Sequence, residues 1–254
     1  MKKMDHRRPE RRLTGGPPSE RAPHPAHAAQ PGGTQVLLCD LDGTLIDSAP
    51  DLAAAVGELL ARQGRPPLTL EAIKTMIGDG VPKLIERAFA ATGGAPPAEE
   101  LAALVSGYMP LYESRMTELT RPYPGAIEAL RALKRAGWRL AVCTNKPEAP
   151  AQAIVAALGF DGLFEAVAGG DSFPVKKPDP GHLLGLLGRM GAVPAAAVML
   201  GDSQNDVLAA TRAGLPAIVV AHGYRRVPVQ ELGADVVIES FSELPGALAA
   251  LGRR

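Results

Sequence analysis

Short apolar runs alternate with longer amphipathic segments along most of this chain. Each run has four or five residues, nearly all apolar, as expected for strands buried on both faces of a parallel sheet. The predicted strands are 35–39, 139–143, 165–168, 197–200, 216–220 and 235–238. The segments between them have the apolar spacing of helices, and the predicted helices are 125–136, 147–158, 179–190, 205–213 and 242–251.

One stretch interrupts this alternation. Residues 48–121 contain four helical patterns and no strand pattern, and Ser48 and Thr69 suit N-cap positions. The alternation itself predicts an α/β fold, in which right-handed crossovers join a parallel sheet with helices on both faces. We therefore expect an all-helical module of about 70 residues, inserted after the first strand of that sheet.

The first 33 residues differ from the rest of the chain. Residues 1–33 are rich in Pro, Gly, Arg and Ala and have almost no large apolar side chains, so they cannot bury enough surface to offset the entropy of ordering. We predict a disordered tail at 1–33. The predicted domains are then an α/β core at 34–47 and 122–254, with the helical module at 48–121.

Charge and cysteine content exclude several classes of protein. Lys plus Arg and Asp plus Glu each number 27, so the chain lacks the basic excess of a dedicated nucleic-acid binder. Cys39 and Cys143 each end an apolar run, and we interpret both as small buried hydrophobes. No apolar run reaches the length of a membrane span, and the N-terminus lacks the apolar core of a signal peptide. We expect a cytoplasmic protein without a membrane partner.

Two acidic residues follow the first predicted strand directly, in the segment DLDGTLIDS. Ligands of open parallel sheets bind beyond the carboxyl ends of the strands, where Asp40 and Asp42 stand. Two carboxylates this close repel each other unless a cation lies between them, which favours a hard ion with oxygen ligands and Mg²⁺ above others. Gly43 allows a tight turn, and Thr44 offers a hydroxyl to a ligand or a cap.

Two further polar segments suit phosphate. Thr144 follows the second long strand in CTNKP, where its hydroxyl and nearby backbone N–H groups can hold a phosphate oxygen. Lys176 and Lys177 precede a proline in KKPDP, and either lysine can neutralise a phosphate or a carboxylate. Alone, the first segment is typical of a helix-entry turn and the second of a solvated basic turn.

A second pair of acids follows a later strand, in GDSQND. Asp202 can bind the same ion as Asp40, and Asp206 can orient a ligand of the ion, pair with the lysine or cap the next helix. Each of these four segments, taken alone, has a simple structural explanation. No single structural explanation accounts for the occurrence of all four at the ends of four core strands. Together they supply a carboxylate nucleophile, a metal site, a lysine and a hydroxyl, which suits phosphoryl transfer.

These motifs resemble those of the haloacid dehalogenase-like hydrolases, and within that superfamily of the bacterial phosphoglycolate phosphatases. DLDGTLIDS, CTNKP, KKPDP and GDSQND occur in the family's order, and the resemblance covers residues 35 to about 250. It implies a Rossmann-like core with a helical cap inserted after the first strand. It also implies a Mg²⁺-dependent phosphatase that hydrolyses 2-phosphoglycolate to glycolate and phosphate through an aspartyl-phosphate.

The resemblance further implies a role for each motif residue. Asp40 is the nucleophile, and Asp42 is the general acid and then the general base. Thr144 and Lys177 hold the phosphoryl group, with Lys177 matching the family's Lys-Pro pattern. The implied metal residues are Asp40, Asp42, Asp202 and Asp206. The predicted substrate contacts are Thr44 and Asn145 in the core, and Gly78, Asp79 and Gly80 in a glycine-rich turn between cap helices.

Several alternatives stay open at this level. Another small phosphate ester such as a sugar phosphate, or a phosphoglucomutase-like phosphotransferase, needs the same core residues. An acid at Asp79 does not favour a substrate carboxylate, although Lys83 or Arg87 can compensate for it. A non-catalytic phosphoacceptor or binding module is a different class, and the presence of both Asp40 and Asp42 argues against it. We expect a small-molecule substrate and a monomer or homodimer.

Overall fold

A computed structural model of the protein describes residues 34–253. The predicted disordered tail at 1–33 lies outside the described residues. The strands are β1 (Val36–Cys39), β2 (Ile46–Asp47), β3 (Arg121–Pro122), β4 (Arg139–Cys143), β5 (Ala166–Ala168), β6 (Ala197–Gly201), β7 (Ala217–Val220) and β8 (Val236–Ile238). The helices are α1 (Ala49–Arg62), α2 (Leu70–Lys74), α3 (Val81–Ala91), α4 (Ala98–Glu113), α5 (Ala126–Arg135), α6 (Glu148–Ala157), α7 (Pro180–Arg189), α8 (Gln204–Ala213) and α9 (Leu244–Ala250).

Six of these strands form one parallel sheet in the order β5-β4-β1-β6-β7-β8. They are the six strands predicted from the apolar runs, and the predicted α/β class is confirmed. The chain runs outward from β1 on one side and then returns to its other side through β6. This reversal between β1 and β6 is the position at which open α/β sheets bind ligands.

Both faces of the sheet are covered. Alternate residues of β1 enter two different apolar clusters, with Leu37 in one and Leu38 in the other. Cys39 and Cys143 are buried and unpaired, as predicted, and burial raises the pKa of the Cys143 thiol to about 12. These apolar strands therefore owe their composition to burial on both sides.

The inserted helices α1–α4 occupy 49–113, where four helices and no strand were predicted. They share an apolar cluster with one face of the sheet, to which Leu52 and Leu84 belong. Thr69 caps α2 as predicted, because its hydroxyl accepts a hydrogen bond from the Ala72 N–H. Among residues 34–253, no helix is both long and apolar enough to cross a membrane.

A short antiparallel ladder of β2 and β3 joins the two ends of this insertion. Ile46 lies opposite Pro122, and Asp47 lies opposite Arg121. The sequence analysis did not predict this ladder, because a two-residue strand is too short to show a period. The ladder places the chain's entry to the inserted helices beside its exit from them.

Candidate active site

Register within the sheet aligns the residues that follow three strands. Cys39, the last residue of β1, lies opposite Val142 of β4 and Leu200 of β6. Asp40 follows at once and donates its backbone N–H to the Leu200 carbonyl at 2.9 Å. The segments that begin at Asp40, Thr144 and Asp202 therefore meet at one edge of the sheet.

Three buried carboxylates form a cluster at this edge. One oxygen each of Asp40, Asp202 and Asp206 lies within 4.8 Å of the others. Lys177 is also buried, with Nζ 2.9 Å from Asp40 Oδ1 and 2.7 Å from Asp206 Oδ1. One ammonium faces three carboxylates, so the cluster has an excess of negative charge that a divalent cation would balance.

Burial and mutual repulsion act on the protonation of this cluster. Burial raises the pKa of Asp40 to about 6, although the Lys177 ammonium opposes the rise. Burial also raises the pKa of Asp202 well above its usual value, and the charges of Asp206 and Asp40 add to the effect. Nearby positive charge is what such carboxylates need to be ionised at neutral pH.

Asp202 is held by two donors and a close turn. The Thr44 hydroxyl donates to its Oδ1 at 3.0 Å, and the Tyr224 N–H donates to its Oδ2 at 2.6 Å. Gly43 has a φ of +84°, and a Cβ there would lie 2.5 Å from Asp202 Oδ2. Thr44, predicted as a substrate contact, is fully buried in this arrangement and supports Asp202 instead.

Asp206 is fixed by its own helix. Its Oδ2 accepts hydrogen bonds from the N–H groups of Asp202 and Ser203 and from the Ser203 hydroxyl. Asp206 is thus the N3 residue of a capping box in which Ser203 is the N-cap. Its other oxygen receives Lys177, so Asp206 orients the lysine while it borders the carboxylate cluster.

The structure separates the two adjacent lysines, which the sequence alone could not. Lys177 points into the carboxylate cluster and is 2% exposed. Lys176 is only half-buried, and its Nζ donates to the Asp79 carbonyl at 2.7 Å. Lys177 is therefore the lysine that can reach a group bound at Asp40.

Asp42 turns away from this cluster toward a residue that the sequence analysis missed. The Nζ of Lys146 lies 2.9 Å and 3.0 Å from the two Asp42 oxygens, and the Ser48 hydroxyl donates to Asp42 Oδ1 at 2.5 Å. Lys146 is buried although it is a lysine. Asp42 was predicted as a metal residue. Its carboxylate instead forms an ion pair with Lys146 and lies outside the cluster of Asp40, Asp202 and Asp206.

Thr144 and Asn145 lie at the same edge. Thr144 is buried, and its hydroxyl accepts the Lys146 N–H at 3.2 Å. Asn145 donates through Nδ2 to the carbonyls of Gly78 and Lys177, at 2.9 Å and 2.8 Å. Asn145 therefore connects the sheet edge to the inserted helices.

A cleft opens between this edge and the inserted helices. Its empty space of about 470 Å³ includes the open solvent at its mouth. From the sheet edge it is lined by Asp40, Asp42, Thr144, Asn145, Lys146 and Pro147. From the other side it is lined by Leu52, Ile77, Gly78, Gly80, Val81, Leu84 and Tyr112.

The acid of the predicted substrate loop is engaged elsewhere. Gly78 and Gly80 line the cleft, but Asp79 does not. Its carboxylate lies 2.5 Å from guanidinium nitrogens of both Arg87 and Arg226 and accepts a hydrogen bond from Asn205 at 2.6 Å. Burial alone would raise the pKa of Asp79, but these donors outweigh it and lower the pKa to about 2.

Asp79 therefore fastens the inserted helices to the core. Arg87 belongs to α3, whereas Asn205 and Arg226 belong to the core, and Asn205 also donates to the Gly78 carbonyl at 3.1 Å. We expect Asp79→Ala to speed amide hydrogen exchange at Gly78 and Gly80 by about tenfold, because it removes charged hydrogen bonds that hold the loop. Mass spectrometry of the exchanging peptides measures this.

A control for this experiment lies on the same inserted helices. Glu86 is partly exposed and pairs with Lys83 at 2.7 Å, so Glu86→Ala should leave exchange in the loop unchanged. Equal exchange in Asp79→Ala and the parent protein would show that the loop is held by other contacts.

Comparison with known proteins identifies a consistent group of relatives. A family model described as haloacid dehalogenase-like hydrolase matches residues 34–214. A phosphoglycolate phosphatase of Caulobacter vibrioides is 43% identical over 215 residues, which are 85% of this chain and 91% of that protein. A phosphoglycolate phosphatase of Rhodospirillum rubrum is 41% identical over 83% of this chain and 89% of its own length.

Solved structures agree with this grouping. A protein described as a predicted phosphoglycolate phosphatase from Haemophilus somnus has a TM-score of 0.80 and 32% identity, covering 84% of this chain and 97% of that one. CbbY from Rhodobacter sphaeroides, solved in complex with phosphate, has a TM-score of 0.72 and 29% identity over 84% of this chain and 96% of its own. Both matches span the sheet together with the inserted helices.

Proposed function

Because this chain belongs to the haloacid dehalogenase-like hydrolases, and within them to the phosphoglycolate phosphatase family, we propose that it hydrolyses 2-phosphoglycolate to glycolate and phosphate. It is a phosphoric monoester hydrolase, and the substrate is the further step. The observation that carries the proposal is the buried cluster of three carboxylates and one lysine beside Thr144 and Asp42.

We assign the nucleophile to Asp40. A carboxylate oxygen of Asp40 attacks phosphorus, the bond from phosphorus to the ester oxygen breaks, and an aspartyl-phosphate forms. Asp40 suits this role because it lines the cleft and is buried beside the Lys177 ammonium. Its position directly after the central strand also holds it rigidly.

We assign proton transfer to Asp42. In the first step Asp42 enters in its protonated form and gives that proton to the ester oxygen that leaves with glycolate. In the second it takes a proton from the water that attacks phosphorus and so frees phosphate and Asp40. General acid–base assistance of this kind contributes typically ~10²–10⁴-fold. Asp42 lines the same cleft as Asp40, and Ser48 and Lys146 fix its carboxylate.

The phosphoryl oxygens need donors that are already in place. Lys177 and Thr144 are both buried at the sheet edge, and Thr144 lines the cleft. We propose that the Thr144 hydroxyl and the Lys177 ammonium bind the phosphoryl group in both steps, because fixed donors in a dry site stabilise its charge at little reorganisation cost.

We propose that Asp40 and Asp202 hold a magnesium ion, with Asp206 positioned beside them. Oxygen donors from buried carboxylates fit the preference of Mg²⁺, and the cluster has more negative charge than Lys177 neutralises. When bound, the ion supplies positive charge against the phosphoryl oxygens. Asp42, the fourth predicted metal residue, would contribute through its backbone only, since its carboxylate pairs with Lys146.

We also propose the predicted division into a core at 34–47 and 122–254 and a cap at 48–121. The cap supplies the apolar half of the cleft and so excludes water from the reacting groups. Gly78 and Gly80 keep their proposed place as substrate contacts, whereas Asp79 serves the contact between cap and core. A cytoplasmic location and a monomer or homodimer stay predictions.

Phosphate release from a panel of esters tests this function. The panel contains 2-phosphoglycolate, glucose 1- and 6-phosphates and nucleoside monophosphates, each with magnesium and then with EDTA. We expect the highest kcat/KM for 2-phosphoglycolate and loss of the rate in EDTA, with recovery when magnesium is restored. A higher rate on another ester would replace the substrate and keep the chemistry. Conversion of one glucose phosphate into the other without phosphate release would indicate a mutase.

A further inference from the structure

Lys146 is a buried cation in the cleft. The proposed reaction assigns it no contact with the substrate. Its side chain is 3% exposed, and it lines the cleft beside the proposed proton carrier Asp42. An ammonium has three N–H groups, and the two Asp42 oxygens engage only two of them. Burying a lysine costs free energy. Binding an anionic part of the substrate would offset that cost.

The ring of Tyr112 lies next to this lysine. The Tyr112 hydroxyl is buried and, like that of Tyr108, has no hydrogen-bond partner within residues 34–253, but only Tyr112 of the two lines the cleft. The Nζ of Lys146 lies 4.7 Å from the centroid of the Tyr112 ring, and Tyr112 lines the same cleft. Burial raises the pKa of Tyr112 well above its usual value, so the hydroxyl stays a neutral donor. Buried hydroxyls usually have a partner, which here a ligand would supply.

The remaining cap wall explains why these donors are selective. Leu52, Val81 and Leu84 present apolar side chains to the cleft and leave few other partners for a polar group. Two other cations of the inserted helices are engaged away from the cleft, with Lys83 bound to Glu86 and Arg87 bound to Asp79.

We propose that Lys146 and Tyr112 bind the carboxylate of the substrate, so that the enzyme selects phosphate esters of short 2-hydroxycarboxylic acids. The proposal rests on the proposed function, which puts Asp42 at the ester oxygen. In such esters the carboxylate carbon is two bonds from that oxygen. Lys146, which contacts Asp42, is therefore placed to contact the substrate carboxylate. A sugar phosphate or an alkyl phosphate has no carboxylate to put beside Lys146.

A pair of substrates isolates the carboxylate. Ethyl phosphate has the phosphate and the two-carbon length of 2-phosphoglycolate but no carboxylate. We expect Tyr112→Phe to lower kcat/KM for 2-phosphoglycolate by about 10- to 100-fold, the value of one charged hydrogen bond, with ethyl phosphate changed less than about twofold. We expect Lys146→Met to lower the preference for 2-phosphoglycolate over ethyl phosphate by at least ~100-fold, while the lost contact with Asp42 slows both esters.

Two matched variants control for packing and for general charge. Tyr108 stacks on Tyr112 with ring centroids 5.9 Å apart and is equally buried, but it does not line the cleft. Tyr108→Phe should keep the preference between the two esters. Lys83→Met removes an exposed cation from the cap and should keep it as well. An unchanged preference in both Tyr112→Phe and Lys146→Met would overturn the proposal.

Binding without turnover separates this inference from the proposed function. The Asp40→Asn variant lacks the nucleophile, so calorimetry can measure its affinity for each ester in the presence of magnesium. We expect at least ~10-fold tighter binding of 2-phosphoglycolate than of ethyl phosphate, and loss of that difference on adding Lys146→Met. If the parent hydrolyses no ester but this difference is present, the function fails and the carboxylate site stands. Equal affinities for the two esters would overturn the site, whatever the activity.

Discussion

The Asp40→Asn variant is expected to lose phosphate release by at least ~10⁴-fold, the scale on which enzymes lose rate without their nucleophile. Asparagine keeps the shape of the side chain but has no carboxylate oxygen to attack phosphorus. Phosphate release under saturating 2-phosphoglycolate and magnesium measures the loss. Because Asp40 is buried beside Lys177, unfolding in urea should accompany the assay and show that the variant is folded.

Comparing Asp42→Asn with Asp40→Asn distinguishes the proton-transfer role of Asp42 from the nucleophilic role of Asp40. We expect Asp42→Asn to retain a trace of activity, with a loss of about 10²–10⁴-fold, because it removes proton transfer and not the nucleophile. Mass spectrometry after acid quench should find phosphate on the peptide containing Asp40 in Asp42→Asn, and none in Asp40→Asn. Activity of Asp40→Asn comparable to that of the parent protein would contradict the whole mechanism.

The Lys177→Met variant is expected to lose both activity and stability. It leaves Asp40 and Asp206 buried without their shared ammonium, and breaking a buried ion pair costs about 3–5 kcal/mol. Lys177 is also the group that opposes the rise in the Asp40 pKa. Its removal should raise that pKa above about 6, so that less of the nucleophile is ionised at neutral pH.

The loss of stability in Lys177→Met should depend on pH. An acid whose pKa is higher in the folded protein than in the unfolded chain holds extra protons when folded, so stability falls as pH rises between the two values. The stability deficit of Lys177→Met should therefore be smaller at pH 5 than at pH 7.5 in metal-free urea unfolding. Lys176→Met is the matched control. Lys176 donates to a backbone carbonyl, so this variant should change neither the activity nor the stability strongly. A stable and active Lys177→Met would remove Lys177 from the site.

The sequence was most informative where burial determines composition. The apolar runs predicted each strand of the six-stranded sheet, with ends that differ by at most one residue from β1, β4 and β6. Polar residues directly after those strands then had to meet at one edge. This is why the proximity of Asp40 and Asp202 could be predicted, although their roles stay proposals.

Contacts that depend on tertiary structure could not be predicted in this way. Lys176 and Lys177 carry the same charge in the same motif, and only their directions differ. The family resemblance predicted Asp79 as a substrate contact. Its partners Arg87, Asn205 and Arg226 come from three separate segments, so the sequence gives no sign that they meet at Asp79. Neither distinction has a periodic signal in the sequence.

Lys146 was missed although a signal was present. It stands in CTNKP, three residues after Cys143, the last residue of a buried strand, and so belongs to the same sheet edge as Thr144. The prediction for this motif uses Thr144 and Asn145 and gives Lys146 no role. A cation at this edge is as notable as an acid, because both are costly to bury without a partner.

The place of β1 in the sheet also has a consequence for how the chain is made. β1 leaves the ribosome first among the strands, but its two neighbours, β4 and β6, follow only after all the inserted helices. Those helices pack on one another, with α1 and α3 against α4, and can form while synthesis continues. The four apolar residues of β1 meanwhile have no strand to pair with. Nascent chains arrested before β4 should therefore depend on chaperones, which cover such exposed apolar strands until their partners are made.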